Sequence, residues 1–309
     1  MNKKDHLGEK IRNRESGILT YGITPPKKDL PEERIAEIAA VQTARIRMLD
    51  PDALVVYDLQ DEKDRNKEER PFPFLETIDP SIYDKDYLTN TGVPSIVYRC
   101  VGKYTEDDLR VWVRPDTEEP RYSVFVGAAS AGSGGLTLSA AYQAAESRAK
   151  NFTLGAVLIP ERHRRNADEH LRAFSKTERG VSFFISQAVY SVEGAKDFLS
   201  DYAYLCRERK IHPVPILFTL TPCGSEKTLS FMKWLGIAVP RWLENELLHS
   251  NDILQRSVDV CAETYAELDR FGREMGIPVG CNVESVSTRK LEIEASVALL
   301  ERVRNIARS

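Results

Sequence analysis

Eight short β-prone runs, each followed by residues of helical or loop character, constrain this chain more than any other feature. The runs are GILTYGIT (17–24), ALVVY (53–57), SIVYRC (95–100), YSVFVG (122–127), LGAVLI (154–159), VSFFIS (181–186), VPILFT (214–219) and IPVGCNV (277–283). Most are continuously apolar rather than alternating, as expected of parallel strands covered on both faces. Between them lie amphipathic helical patterns. Residues 32–49 place Ile35, Ile38, Ile46 and Leu49 on one stripe, entered through Pro31. Residues 250–272 do the same with Leu254, Val258, Cys261, Tyr265 and Leu268, with Ser250 or Asn251 available as the N-cap. The count of eight and the even spacing predict an α/β chain folded as a single (β/α)8 TIM barrel over 1–309. A doubly wound open sheet is the structural alternative. An insertion at 58–80 after strand two and an extra helix before strand eight depart from the plain repeat, and residues 1–15 read as a flexible or helical extension.

Composition narrows the class. With 42% hydrophobic residues the 309-residue chain can bury a sizeable core, which excludes disorder. The longest apolar runs fall far short of the ~18–20 residues that cross a bilayer, so no membrane association is expected. A net charge of −4 gives no general attraction to nucleic acid. No apolar signal segment follows the opening MNKKDHLGEK, so a cytoplasmic placement is expected. Five cysteines are scattered without CxxC spacing and none pairs with a histidine, so reduced thiols and no metal site are expected.

In a parallel barrel, function sits where the C-terminal ends of the strands meet the following loops. That places Tyr21, Thr24, Asp58, Arg99, the loop 127–135, Glu161, Gln187, Thr219 and Glu284 on the candidate list. Small residues in GAASAGSGG (127–135) let backbone N–H groups, those of Ala129 and Ser130 among them, approach an anion ahead of a helix at 136–149. A flexible connection is the plainer reading of the same loop. Asp58 and Glu284 end strands two and eight, and a carboxyl group there can serve as a general acid; capping a helix or pairing with a nearby arginine is the structural alternative. Gln187 is a neutral donor and acceptor suited to an amide-like heterocycle edge. His163 and His170 fall on a charged helix and read as solvent-facing, while Trp234 and Trp242 read as packing.

Several of these stretches together resemble the methylenetetrahydrofolate reductase family of (β/α)8 barrels. They are PVPILFTLTPCGSEKTLSFMKWLGIAVPRWLENEL (213–247), GVSFFISQAVYS (180–191), LGAVLIPERH (154–163), ITPPKK (23–28) and RCVGKYTEDDL (99–109), in order along the chain. The resemblance implies reduction of 5,10-methylenetetrahydrofolate to 5-methyltetrahydrofolate with NADH as hydride donor. It assigns Gln187 to the folate and Lys176 to the cofactor; Thr219 and Tyr21 are expected beside the folate, Arg99, Ala129 and Ser130 at the cofactor, and Glu284, ahead of Asp58, as substitute for the family's missing proton donor. Where the family carries its catalytic glutamate this chain has Gly22, and Val97, Val126, Gly127 and Ala128 stand at positions that otherwise contact flavin. The likeness is therefore to the flavin-independent actinobacterial branch, and FAD is not expected. An FAD-dependent reductase of the same fold, and a non-reducing folate-binding barrel acting as a methyl-transfer partner, are the alternatives.

Overall fold

The computed structural model describes residues 3–61, 68–114, 118–127 and 135–308. Helix α1 (Lys3–Asn13) leads into β1 (Leu19–Ile23), α2 (Glu32–Leu49), β2 (Ala53–Val56), α3 (Pro80–Tyr87), β3 (Ser95–Cys100), α4 (Glu106–Trp112) and β4 (Arg121–Val126). Then follow α5 (Leu138–Ala144), β5 (Phe152–Leu158), α6 (Pro160–Asn166), α7 (Glu169–Glu178), β6 (Phe183–Ala188) and α8 (Val192–Arg209). The chain closes with β7 (Ile216–Leu220), α9 (Glu226–Trp234), α10 (Arg241–His249), α11 (Ile253–Met275), β8 (Val279–Val283) and α12 (Lys290–Ala307). The eight strands form a closed parallel barrel in sequence order, the (β/α)8 fold. Each strand lies within two residues of the run that predicts it.

The strands are apolar throughout because they are covered on both faces: every residue of β1, β2, β7 and β8 is buried. Helix α2 spans the predicted residues. Helix α11 begins later than its periodicity suggests, because Asp252, rather than Ser250 or Asn251, accepts from the Gln255 N–H and caps it. The extra helical segment before β8 is α10.

Contacts divide the chain into two compact units. The first comprises Met1–Glu9, Thr20–Ala156 and Arg179–Ser182; the second comprises Lys10–Leu19, Val157–Glu178 and Phe183–Ser309. Leu54, Val55, Val56, Ile96 and Val124 are fully buried in the first. In the second, Phe183, Phe184, Phe218, Leu299 and Leu300 are. Each such side chain contributes roughly 1.5–3 kcal/mol relative to exposure. In the second unit the backbone of Ile18 runs against β8, accepting from the Cys281 N–H at 2.8 Å. Gly280 is required there, since a Cβ would overlap the Ile18 carbonyl.

Candidate functional site

In the first unit, charged side chains gather where β2 and β3 end. Asp58 is buried and accepts from the Cys100 N–H at 2.7 Å, the Lys103 Nζ at 2.5 Å and the Tyr104 hydroxyl at 2.9 Å. Asp79 caps the N-terminus of α3 through Ser81 and accepts from Arg99 Nη1 at 2.8 Å. Burial alone would raise the Asp79 carboxyl, but Arg99, Ser81 and Tyr104 outweigh it and hold the group below its ordinary value. Burial, reinforced by Asp58 and Asp79, pushes the Tyr104 phenol well above its ordinary value. The Arg99 guanidinium lies over the rings of Trp112, at 4.0 Å, and Tyr104, at 4.6 Å. Asp58 and Arg99 are thus joined in one hydrogen-bonded network, its carboxylates matched by cations and a phenol. Tyr21 is buried on β1, opposite Leu54 of β2.

The second unit presents a different set. Strand β6 carries a register shift: Ile185 pairs with Leu217, but the next pair is Ala188 with Thr219. Three residues of β6 therefore span two of β7, a bulge that re-aims the side chains around Gln187. The Ser186 hydroxyl fills the gap, accepting from the Thr219 N–H at 2.9 Å and donating to the Gln187 carbonyl at 2.7 Å. Gln187 is half-buried and donates from Nε2 to the Leu235 carbonyl at 3.1 Å. Thr219 pairs in register with Asn282 of β8, whose Nδ2 donates to the Thr219 hydroxyl at 3.2 Å; both residues are buried. Glu284, half-buried just past β8, donates its N–H to the Leu220 carbonyl at 3.0 Å.

Two acids of the second unit are more deeply enclosed than Glu284. Glu161, in the first turn of α6 after β5, is buried, and neither carboxyl oxygen has a hydrogen-bond partner among the described residues. Burial pushes its pKa up to about 8, tempered only by the nearby backbone of Glu161 itself, Tyr190 and Ser191. Glu292, in the first turn of α12, is buried and accepts from the hydroxyls of Thr228 and Ser287 and from Arg289. Gly224 gives that carboxylate room, because a Cβ would collide with it.

Other predicted residues fall elsewhere. Lys176 lies on α7 and donates to the Val157 carbonyl at 2.6 Å. Ala129 and Ser130 lie outside the described residues. His163 is not solvent-facing: it is 4% exposed and bonded to Asp201, because α8 covers that side of α6. Trp234 is packed as expected, but Trp242 is exposed on α10. A cavity of about 460 Å³ in the second unit, lined by Cys206, Arg207, Lys210, His212 and Arg273 among others, sits beside the C-terminal ends of α8 and α11. Those ends lead into the N-terminal ends of β7 and β8, where a parallel barrel builds stability rather than chemistry.

Sequence reasoning singled out neither Asp79 nor Asn282 nor Glu292, and it left Glu161 unranked. Asp79-Pro80 is a cap signal followed by proline in the first helical turn, and Asn282 is the lone amide in an apolar run. Either could have been found. Glu292 carries no local signal.

These features define the class: a (β/α)8 barrel with a charge-matched cluster in one unit and a neutral polar set with buried acids in the other. No family model matches the sequence, and no curated protein matches it. A solved structure of an uncharacterized protein from Clostridium thermocellum is 53% identical, covering 97% of this chain and 99% of that chain at a TM-score of 0.87. That protein binds two copies of 5-methyl-5,6,7,8-tetrahydrofolic acid. This chain belongs to the same family. A GH10 endoxylanase from a sugarcane soil metagenome, 7% identical at a TM-score of 0.51 over 96% of this chain and 99% of that chain, shares the fold alone. The dihydropteroate synthase of Xanthomonas albilineans, 13% identical at a TM-score of 0.46 over 94% and 95% of the two chains, lies further off.

Family membership overturns the resemblance to methylenetetrahydrofolate reductases. The quoted stretches sit mainly where strands pass into loops, and there the barrel itself selects prolines, small residues and caps. Such matches follow the architecture rather than the chemistry. The expectations of NADH and about FAD came with that resemblance alone.

Proposed function

We propose that the protein binds a reduced, N5-methylated folate and serves methyl transfer, the non-reducing alternative among the sequence readings. The observation that carries this is the 53% identical relative, matched over nearly the whole of both chains, that binds 5-methyltetrahydrofolic acid. The second unit supplies suitable chemistry. A pterin edge is a row of amide-like donors and acceptors, and Gln187, Thr219 and Asn282 are neutral groups of both kinds at the ends of β6, β7 and β8. Neutral partners suit an uncharged heterocycle better than ion pairs do, since no charge must be desolvated on binding.

Methyl transfer breaks the bond from N5 to the methyl carbon, and N5 keeps the electron pair as the methyl passes to an acceptor nucleophile. A proton on N5 makes it a better leaving group. Glu161, with its pKa pushed up to about 8, is protonated at neutral pH and is the candidate to hold that proton. Calorimetric titration of the full chain with 5-methyltetrahydrofolate is expected to show saturable binding. Gln187→Ala is expected to weaken it by roughly 1–3 kcal/mol while leaving the fold intact. A titration without saturation, or one that Gln187→Ala leaves unchanged, defeats the reading or its site.

A further inference from the structure

Three helices of the second unit bring two histidines and an aspartate together. His163 comes from α6, His170 from α7 and Asp201 from α8, and one potential ligand atom from each lies within 4.8 Å of the other two. His163 Nε2 is 3.0 Å from Asp201 Oδ2, and the two imidazole rings meet edge to face with centroids 5.1 Å apart. The Nδ1 atoms of both histidines are buried with no hydrogen-bond partner among the described residues. Buried polar atoms normally find partners, so the unpartnered, buried Nδ1 atoms of two neighbouring imidazoles call for an explanation.

We propose that His163, His170 and Asp201 form a binding site for a divalent transition metal, zinc above all. Two imidazoles and a carboxylate are borderline ligands that suit zinc, whereas magnesium and calcium take all-oxygen sets. Tetrahedral zinc with bonds of ~2.0–2.1 Å spaces its ligands about 3.3 Å apart. The cluster therefore needs a closure of roughly 1.5 Å at most, within reach of side-chain rotation, since half of the Asp201 side chain is exposed. Water would complete the tetrahedron. The expectation of no metal site rested on cysteine and histidine spacing along the chain, and that spacing cannot report ligands carried on three successive helices. Bound there, the ion would staple α6, α7 and α8 together.

The test uses the untagged full chain, stripped with chelator and titrated calorimetrically with zinc chloride. One zinc per chain is expected, with a rise in Tm of several degrees at saturating metal. His170→Ala and Asp201→Asn are each expected to weaken zinc binding at least tenfold with an unchanged far-ultraviolet circular dichroism spectrum. His249→Ala, on α10 and outside the cluster, should leave the affinity as it is. Should His170→Ala fail to fold, Asp201→Asn decides, because that side chain is largely at the surface. A titration with no one-to-one phase, or an affinity that Asp201→Asn does not move, overturns the site.

Discussion

The polar clusters of the two units differ in how completely their charges are answered. In the first unit, Asp58 and Asp79 meet Lys103, Arg99 and Tyr104, and Arg99 is stacked on aromatic rings as well. In the second, neither Glu161 oxygen has a hydrogen-bond partner among the described residues, and Gln187, Thr219 and Asn282 are neutral. Residue type alone does not separate these cases, since both contain carboxylates at strand ends. What separates them is whether the neighbours favour the charged form. A cluster that is satisfied internally holds loops in place. One that keeps an acid protonated against water retains a proton to exchange.

Breaking the first cluster should have the largest effect. Arg99→Met would leave Asp79 without its cation, though still bonded to Ser81 and Tyr104, and is expected to destabilise the protein by roughly 2–3 kcal/mol, read as a fall in the urea midpoint. A loss under ~1 kcal/mol would mean that the network is solvated and that the contrast between the units is overstated.

Next comes the pH dependence of Glu161. Its folded pKa, about 8, stands above the ordinary 4.5, so the folded state binds the proton more tightly than the unfolded chain. Stability therefore falls as pH rises from about 4.5 and levels off beyond about 8. Between pH 6.5 and 8 the wild type is expected to lose roughly 1–2 kcal/mol more than Glu161→Gln, which cannot ionise. Parallel denaturation curves for the two proteins over that interval would place Glu161 in a wetter setting than the structure gives it. The smallest effect is expected at the bulge: Ser186→Ala should cost ~1 kcal/mol by orphaning the Thr219 N–H. Ser186→Thr should restore it.

The same contrast marks what the chain disclosed before folding. Strands and helix α2 were legible because burial on two faces or one stripe is written in adjacent residues. Asp58, Gln187, Thr219 and Glu284 were found at strand ends by the barrel's own rule. Their partners were not, because Lys103 is 45 residues from Asp58 and Leu235 is 48 from Gln187. The isolation of Glu161 was hidden for the same reason, since it depends on what the β6–α8 turn places nearby. Local composition also misled: strand-end prolines and caps imitated another family of the same architecture.

The Ser186 hydroxyl stands in for a peptide carbonyl in the ladder between β6 and β7. At that one position the sequence encodes main-chain geometry through a side chain, so the rule for acceptable replacements is inverted. A larger apolar residue, welcome elsewhere in the strand, is excluded here, while any residue with a short hydroxyl is admitted. Removing one residue from the bulge would restore even pairing and turn Gln187 to the opposite face of the strand. Two barrels of nearly the same sequence could then differ in ligand through a single deletion.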